Sequence, residues 1–242
     1  MLREGYREKI KEIEQELLFM GDMVIKAIKR SIEALKSRDI DEAKRIIHDD
    51  RLINGKQVEI EERCINLIAT QQPVAGELRE LISFFNIITE LERMGDYAEG
   101  IAKIVVMLGD EPLIKPLIDI PRMAEKATNM IKRSLEAFIK RDVEIAKAVW
   151  KEDDEVDRLY EQIYRELLSF MAEDPRTITR ATYLIWIVHN LERIADRATN
   201  ICERTVFLVT GSLEESDVSK YCLLYTSPSP RDLSTSRMPS SA

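Results

Sequence analysis

Glycine and proline are scarce, with eight of each in 242 residues, and several of the prolines crowd into the last stretch. What remains is a set of long uninterrupted segments rich in Ala, Leu, Ile, Glu, Lys and Arg, which is the composition of helices. Cysteine is nearly absent: Cys64, Cys202 and Cys222 stand far apart with no C-x-x-C pair. This excludes a disulfide framework and a thiolate zinc site, and fits a reducing cytoplasm. No apolar run approaches the roughly 20 residues needed to cross a bilayer. The most apolar stretch, Tyr183 to Val188, is far shorter, and the start at Met1 lacks the apolar region of a signal peptide. A soluble cytoplasmic protein without direct membrane insertion is therefore expected. Positive charge is in deficit, with 36 Lys and Arg against 44 Asp and Glu and a net charge of −8, which argues against nucleic acid as a partner. Such a balance suits protein partners or cations. Also missing are G-x-x-x-x-G-K-[ST], G-x-S-x-G and H-E-x-x-H, and neither His48 nor His189 completes an E-x-x-H pair. No catalytic residue is assigned, and the expectation is a protein that is not an enzyme.

With a hydrophobic share of 45%, the chain can bury one large core or two smaller ones. Apolar residues step by three or four from Tyr6 to Leu35, through Ile13, Leu17, Val24 and Ile28, which predicts a long amphipathic helix. Asp39 is placed to cap a second helix running through Ile46, Ile53, Ile60 and Leu67. Pro73 is expected to end it and open a third, carried by Leu81, Phe85, Ile88, Leu91 and Val105. A linker follows across Gly109 to Pro121, and the pattern then repeats. Ile28-Lys29-Arg30-Ser31 matches Ile131-Lys132-Arg133-Ser134, and Arg38-Asp39 matches Arg141-Asp142, at an offset of 103. Leu91-Glu92-Arg93-x-x-Asp96-x-Ala98 matches Leu191-Glu192-Arg193-x-x-Asp196-x-Ala198 at an offset of 100, one short loop deletion accounting for the change. Units this long are not solenoid repeats, so the reading is all-α: two tandem three-helix bundles made by duplication, with helices of about 30 residues. The bounds are 1–112 for the first repeat, 113–216 for the second, and 217–242 for a Ser- and Pro-rich tail that looks non-native or disordered. Trp150, Trp186, Phe84 and Phe85 are read as core aromatics.

Glu92 and Asp96 lie four apart, so on a helix their carboxylates share one face about 6 Å apart, where they repel each other unless a cation intervenes. A single such pair is ordinary surface charge. Its recurrence as Glu192 and Asp196, in repeats that have otherwise diverged, points to ligation of a hard metal ion through oxygen. Asp50 and Asn54 match Asp153 and Asp157 at the 103 offset, again four apart with oxygen donors, and could complete each site from a neighbouring helix. Ordinary helix-surface polarity is the other reading of these four, and Asp49 and Asp154 are substitutes. His189 shares the face of Glu192 and is either a ligand or a packing residue.

Gln71-Gln72-Pro73-Val74-Ala75-x-x-Leu78-Arg79 with Leu91-Glu92-Arg93-Met94-Gly95-Asp96-Tyr97-Ala98 resembles the PhoU family. The second half agrees through Asp153-Asp154-x-Val156-Asp157, Leu191-Glu192-Arg193-Ile194-Ala195-Asp196 and Val209-Thr210-Gly211, so the resemblance runs from about residue 6 to residue 213. It implies antiparallel bundles, multinuclear iron or zinc clusters on the E-x-x-x-D helices, and a cytoplasmic negative regulator of phosphate uptake and phosphate-starvation signalling. The implied partners are the phosphate ABC transporter ATPase and a sensor histidine kinase, with a homodimer as the expected assembly. Gly100 departs from the family, which often has an amide there, as Asn200 does in the second copy; the first cluster would then have one ligand fewer. The alternatives are a purely structural or oligomerising helical protein without metal, and a metal-dependent hydrolase using the same carboxylates.

Overall fold

The computed structural model describes residues 2–212, and the tail expected at 217–242 lies outside them. Six α-helices follow in order: α1 (Leu2–Ser37), α2 (Ile40–Gln71), α3 (Gly76–Leu108), α4 (Asp119–Lys140), α5 (Val143–Glu173) and α6 (Ile178–Thr210), with one turn of 3-10 helix at Pro175–Thr177. No strand occurs among the described residues. Helices α1, α2 and α3 pack into one bundle, and α4, α5 and α6 into another.

The duplication shows in the local chemistry. Both α1 and α4 end with an arginine in the left-handed region, Arg38 at φ 57° and Arg141 at φ 54°. The following aspartate then closes the same reverse turn, Asp39 N donating to Ala34 O and Asp142 N to Ala137 O, each at 2.9 Å. Each aspartate next caps the helix that follows. Asp39 accepts from Glu42 N at 2.8 Å, and Asp142 from Glu144 N at 2.9 Å and Ile145 N at 3.0 Å.

Three expectations need correction. Pro73 does not open the third helix: α2 closes on Gln72 at φ 47°, and α3 begins only at Gly76, after Ala75 at φ 44°. Helix α4 has 22 residues and not about 30, because the Pro-containing linker occupies the stretch equivalent to the first turns of α1. Pro121 belongs to the first turn of α4 and not to the linker, in a position where no intrahelical donor is missed. The linker itself is held from both sides, Arg38 donating to Asp110 O at 3.2 Å and Arg180 to Pro112 O at 2.8 Å.

One continuous apolar core runs through both repeats. Equivalent helices meet across the middle, α3 against α6 and α1 against α4. The α3–α6 contact is reciprocal: Asn200 Nδ2 donates to Glu90 Oε2 at 3.2 Å, while Gly100 lies against Asn190, whose amide stands 3.2 Å from where a Cβ would be. Residue i touching j while the equivalent of j touches the equivalent of i is the signature of a two-fold relation, here between the halves of one chain. Helix α3 buries side chains around most of its circumference, including Leu81, Phe84, Ile88, Leu91, Met94 and Ala98. Phe84 is fully buried and meets Phe138 of α4 edge-on, ring centroids 5.2 Å apart, joining the repeats.

Phe84→Ala is expected to cost about 3–5 kcal/mol in urea denaturation, and Asp142→Ala about 1 kcal/mol through loss of the helix cap. A Phe84→Ala cost under about 1 kcal/mol would mean that the two repeats do not share a core.

Candidate metal centre

The E-x-x-x-D pairs sit on α3 and α6, and in each repeat the preceding helix presents its own pair towards them. In the first repeat, carboxylate oxygens of Asp50 from α2 and of Asp96 and Glu99 from α3 lie within 4.8 Å of one another. Asn54 Nδ2 donates to Asp50 Oδ2 at 3.1 Å. That bond leaves Asp50 Oδ1 and Asn54 Oδ1 buried with no hydrogen-bond partner among the described residues. Burial, and then the charges of Asp96 and Glu99, push the Asp50 carboxyl above its ordinary range. Glu92 is pushed up by burial and by Asp96 and Asp50, and Asp96 by burial and Glu99. Glu99 is tied to Lys103 at 2.5 Å, the one ammonium that relieves this group from the same helix.

The second repeat replaces Asn54 by Asp157 and Lys103 by Glu203, so the cluster is richer in negative charge. Asp153 is pushed up to about 7 by burial first, then by Asp157, Asp196 and Glu192. Glu192 also reaches about 7, by burial and by Asp196, against the opposing pull of Arg193. Asp157 and Asp196 shift upward, burial again the largest cause. Glu192 Oε2 is buried and has no hydrogen-bond partner among the described residues. His189 stands at the rim, its Nδ1 3.5 Å from that oxygen and its ring 6.3 Å from Tyr160. Burial and Arg193 hold the imidazole below its ordinary value, against the opposing pull of Asp196.

Of the eight residues expected from the sequence, Asp50 and Asp96 share the close oxygen group of the first repeat with Glu99, while Asn54 joins through its bond to Asp50 and Glu92 acts on it through charge. In the second repeat Asp153, Asp157, Glu192 and Asp196 act on one another through charge, without three carboxylates as close as in the first. Asp49 does not join them, since it accepts from Arg30 at 2.8 Å. The pair recurs as Arg133 with Glu152 in the second repeat, clamping α1 to α2 and α4 to α5 beside each cluster. Sequence reasoning missed these arginines although they lie inside the matched Lys-Arg-Ser segment, and missed Glu99, whose signal was its position one turn beyond Asp96 on the same face. Position 100 contributes to neither cluster: Asn200 and Gly100 both face the α3–α6 seam. Trp186 is not a core residue, being 47% exposed and packed on Tyr183 at 5.6 Å, whereas Trp150 donates to Thr199 O at 3.2 Å.

Buried oxygens without donors, on α2 in the first repeat and on α6 in the second, beside carboxyls that push one another's titration upward, match what a hard cation requires. The PhoU domain model matches residues 17–105 and 120–205, one copy on each bundle. The chain belongs to the PhoU family. It is 42% identical over 212 residues to the phosphate-specific transport system accessory protein PhoU homolog of Clostridium acetobutylicum, covering 87% of this chain and 97% of that one. Crystal structures of two PhoU proteins superpose on it at 33% identity. That from Pseudomonas aeruginosa gives a TM-score of 0.80 over 86% of this chain and 100% of its own. The phosphate transport system regulatory protein PhoU from Streptococcus pneumoniae gives 0.81 over 87% and 99%. The residues of both clusters fall inside the two matched PhoU domains.

The raised carboxyls set a pH dependence. Folded Asp153 and Glu192 keep protons up to about 7, while the unfolded chain has released them at ordinary carboxylate values, so the folded state binds more protons between those limits. Stability of metal-free protein is therefore greatest at the acid end of that window and falls as pH rises through about 7. Thermal melts across the window check this, and Asp153→Asn is expected to flatten the slope; a melting temperature that climbs steadily with pH refutes it.

Proposed function

We propose that this chain is a metal-binding regulatory accessory protein of a phosphate transport system, acting in the cytoplasm through contacts and not through turnover. The supporting observation is the pair of carboxylate clusters whose buried oxygens lack donors, on a chain of the PhoU family. No helix among the described residues is long and apolar enough to cross a membrane. Asp50, Asn54, Glu92, Asp96 and Glu99 would hold metal in the first repeat, and Asp153, Asp157, Glu192 and Asp196 in the second. Iron or zinc is the proposed metal, and a multinuclear cluster suits the number of carboxylates. When bound, the ion supplies the positive charge that lets these carboxyls ionise, and so ties α2 to α3 and α5 to α6.

The relatives' names support a place beside the phosphate transporter: an accessory protein in one case, a regulatory protein in another. We extend this to negative regulation of phosphate uptake, with the transporter's ATPase and a sensor histidine kinase as partners and a second copy of the chain as the assembly. Long rigid helices give broad contact surfaces, and the acidic balance favours basic patches on a partner.

Metal is best tested on protein stripped with chelator and reloaded with iron or zinc. Stable binding in each repeat is expected, with a rise in melting temperature that grows with metal concentration. Asp96→Asn and Asp196→Asn are each expected to lose metal in their own repeat while the circular dichroism of the helices is unchanged. Protein that takes up no metal would leave the clusters as surface charge and remove the chemical part of the proposal. Capture of the transporter ATPase by the tagged full chain tests the regulatory part separately; no capture at high or low phosphate would remove that part.

A further inference from the structure

A groove of about 530 Å³ runs between α1 and α4 and contains none of the cluster residues. Its walls carry four cations, Lys29, Arg122, Lys126 and Lys132, against one acid, Glu125. On a chain of net charge −8 this is a local reversal of sign. Lys126 is neutralised by Glu155 of α5. Lys29, Arg122 and Lys132 form no ion pair among the described residues.

Lys29 and Lys132 are equivalent positions of the duplication, 103 apart, so the two copies of one lysine line the same groove from opposite walls. Both walls are helix, and they are held close: a Cβ on Gly21 of α1 would stand 2.3 Å from Leu135 Cδ1 of α4. Lys29, Arg122 and Lys132 are all exposed, and like charges placed together on two fixed helices repel until an anion lies between them.

The lining also says which anion. With Lys126 paired and Glu125 counted, the lining keeps a net charge of about +2, and Arg122 and Lys132 stand about 15 Å apart along α4, farther than one phosphate group spans. Ile25 is the one large apolar side chain in the lining and no aromatic ring is present, so nothing there would stack on a nucleobase. Lysines meet phosphate as point charges, which suits a flexible chain of phosphoryl groups. We propose that the α1–α4 groove binds a small oligophosphate anion, with Lys29, Arg122 and Lys132 supplying the charge. The site is independent of the metal reading.

The test uses the full chain after chelation, in metal-free buffer, so that no cation in the carboxylate clusters can bridge to the anion. Tripolyphosphate titrated calorimetrically is expected to saturate at one per chain and to weaken as salt is raised. ATP should bind no tighter than tripolyphosphate, and orthophosphate about tenfold weaker or less tightly still. Lys29→Glu with Lys132→Glu should abolish binding, and Lys29→Met with Lys132→Met, which keeps the apolar stems should the charge reversal fail to fold, should weaken it about tenfold. Lys151→Glu, on the exposed side of α5, should leave it unchanged. The proposal is overturned by any of four results: no saturable binding, orthophosphate bound as tightly, ATP bound in preference to tripolyphosphate, or undiminished binding by the folded methionine variant.

Discussion

The packing of α3 against α6 is the constraint from which the rest follows. Each of these helices is surrounded by its own bundle and by its counterpart, so little of its circumference is left for polar residues. Leu91 and Met94 are core residues, and a helix is too rigid for Glu92, on the same turn, to swing free of the boundary, while Asp96 reaches the exposed side. In the second repeat the same rigidity keeps both Glu192 and Asp196 at the boundary, beside Leu191 and Ile194. Carboxylates held at that depth lose part of their hydration, which is why burial is the largest cause of every upward shift in the two clusters. Their appetite for a counter-charge is thus a consequence of core packing.

Duplication supplied the two clusters and divergence made them unequal. In the first, an amide at Asn54 and an ammonium at Lys103 temper the charge, and Glu99 adds a third close carboxylate. In the second, Asp157 replaces the amide and Thr199 replaces Glu99, its hydroxyl donating to Asp196 O at 2.7 Å. The surface beside it also differs: Tyr160, Tyr164 and Trp186 stand where the first repeat has Gln57, Glu61 and Asn86. The seam shows the same division of labour. Glu90 accepts from Arg197 and Asn200 on one side of the two-fold relation, while the other side is filled by Asn190 against Gly100. One side is held by charge and the other by close approach.

The helical class, the N-cap at Asp39 and the repeat offsets were legible because each is written in local chemistry: a period of three to four, a capping side chain, a matched segment. The E-x-x-x-D pairs and their partners on the preceding helices were legible because four-residue spacing on a helix is a distance. Glu99 was harder to single out, since its counterpart Thr199 breaks the repeat that made the other carboxylates visible. The orientation of Asn200 was not legible at all. Four residues beyond Asp196 it continues the motif, but the small rotation gained per four residues, with α3 alongside, turns it into the seam.

Composition and spacing by themselves determined that this chain would be helical, duplicated and provided with paired carboxylates on two equivalent helices, because those properties depend on neighbours within a turn or two. Tertiary structure decided which side chains are desolvated, which of two nearby acids is consumed by an arginine, and which lysines of α1 and α4 face one another. Those outcomes depend on what lies across the groove or seam, and residues 103 apart meet there only after both bundles have folded.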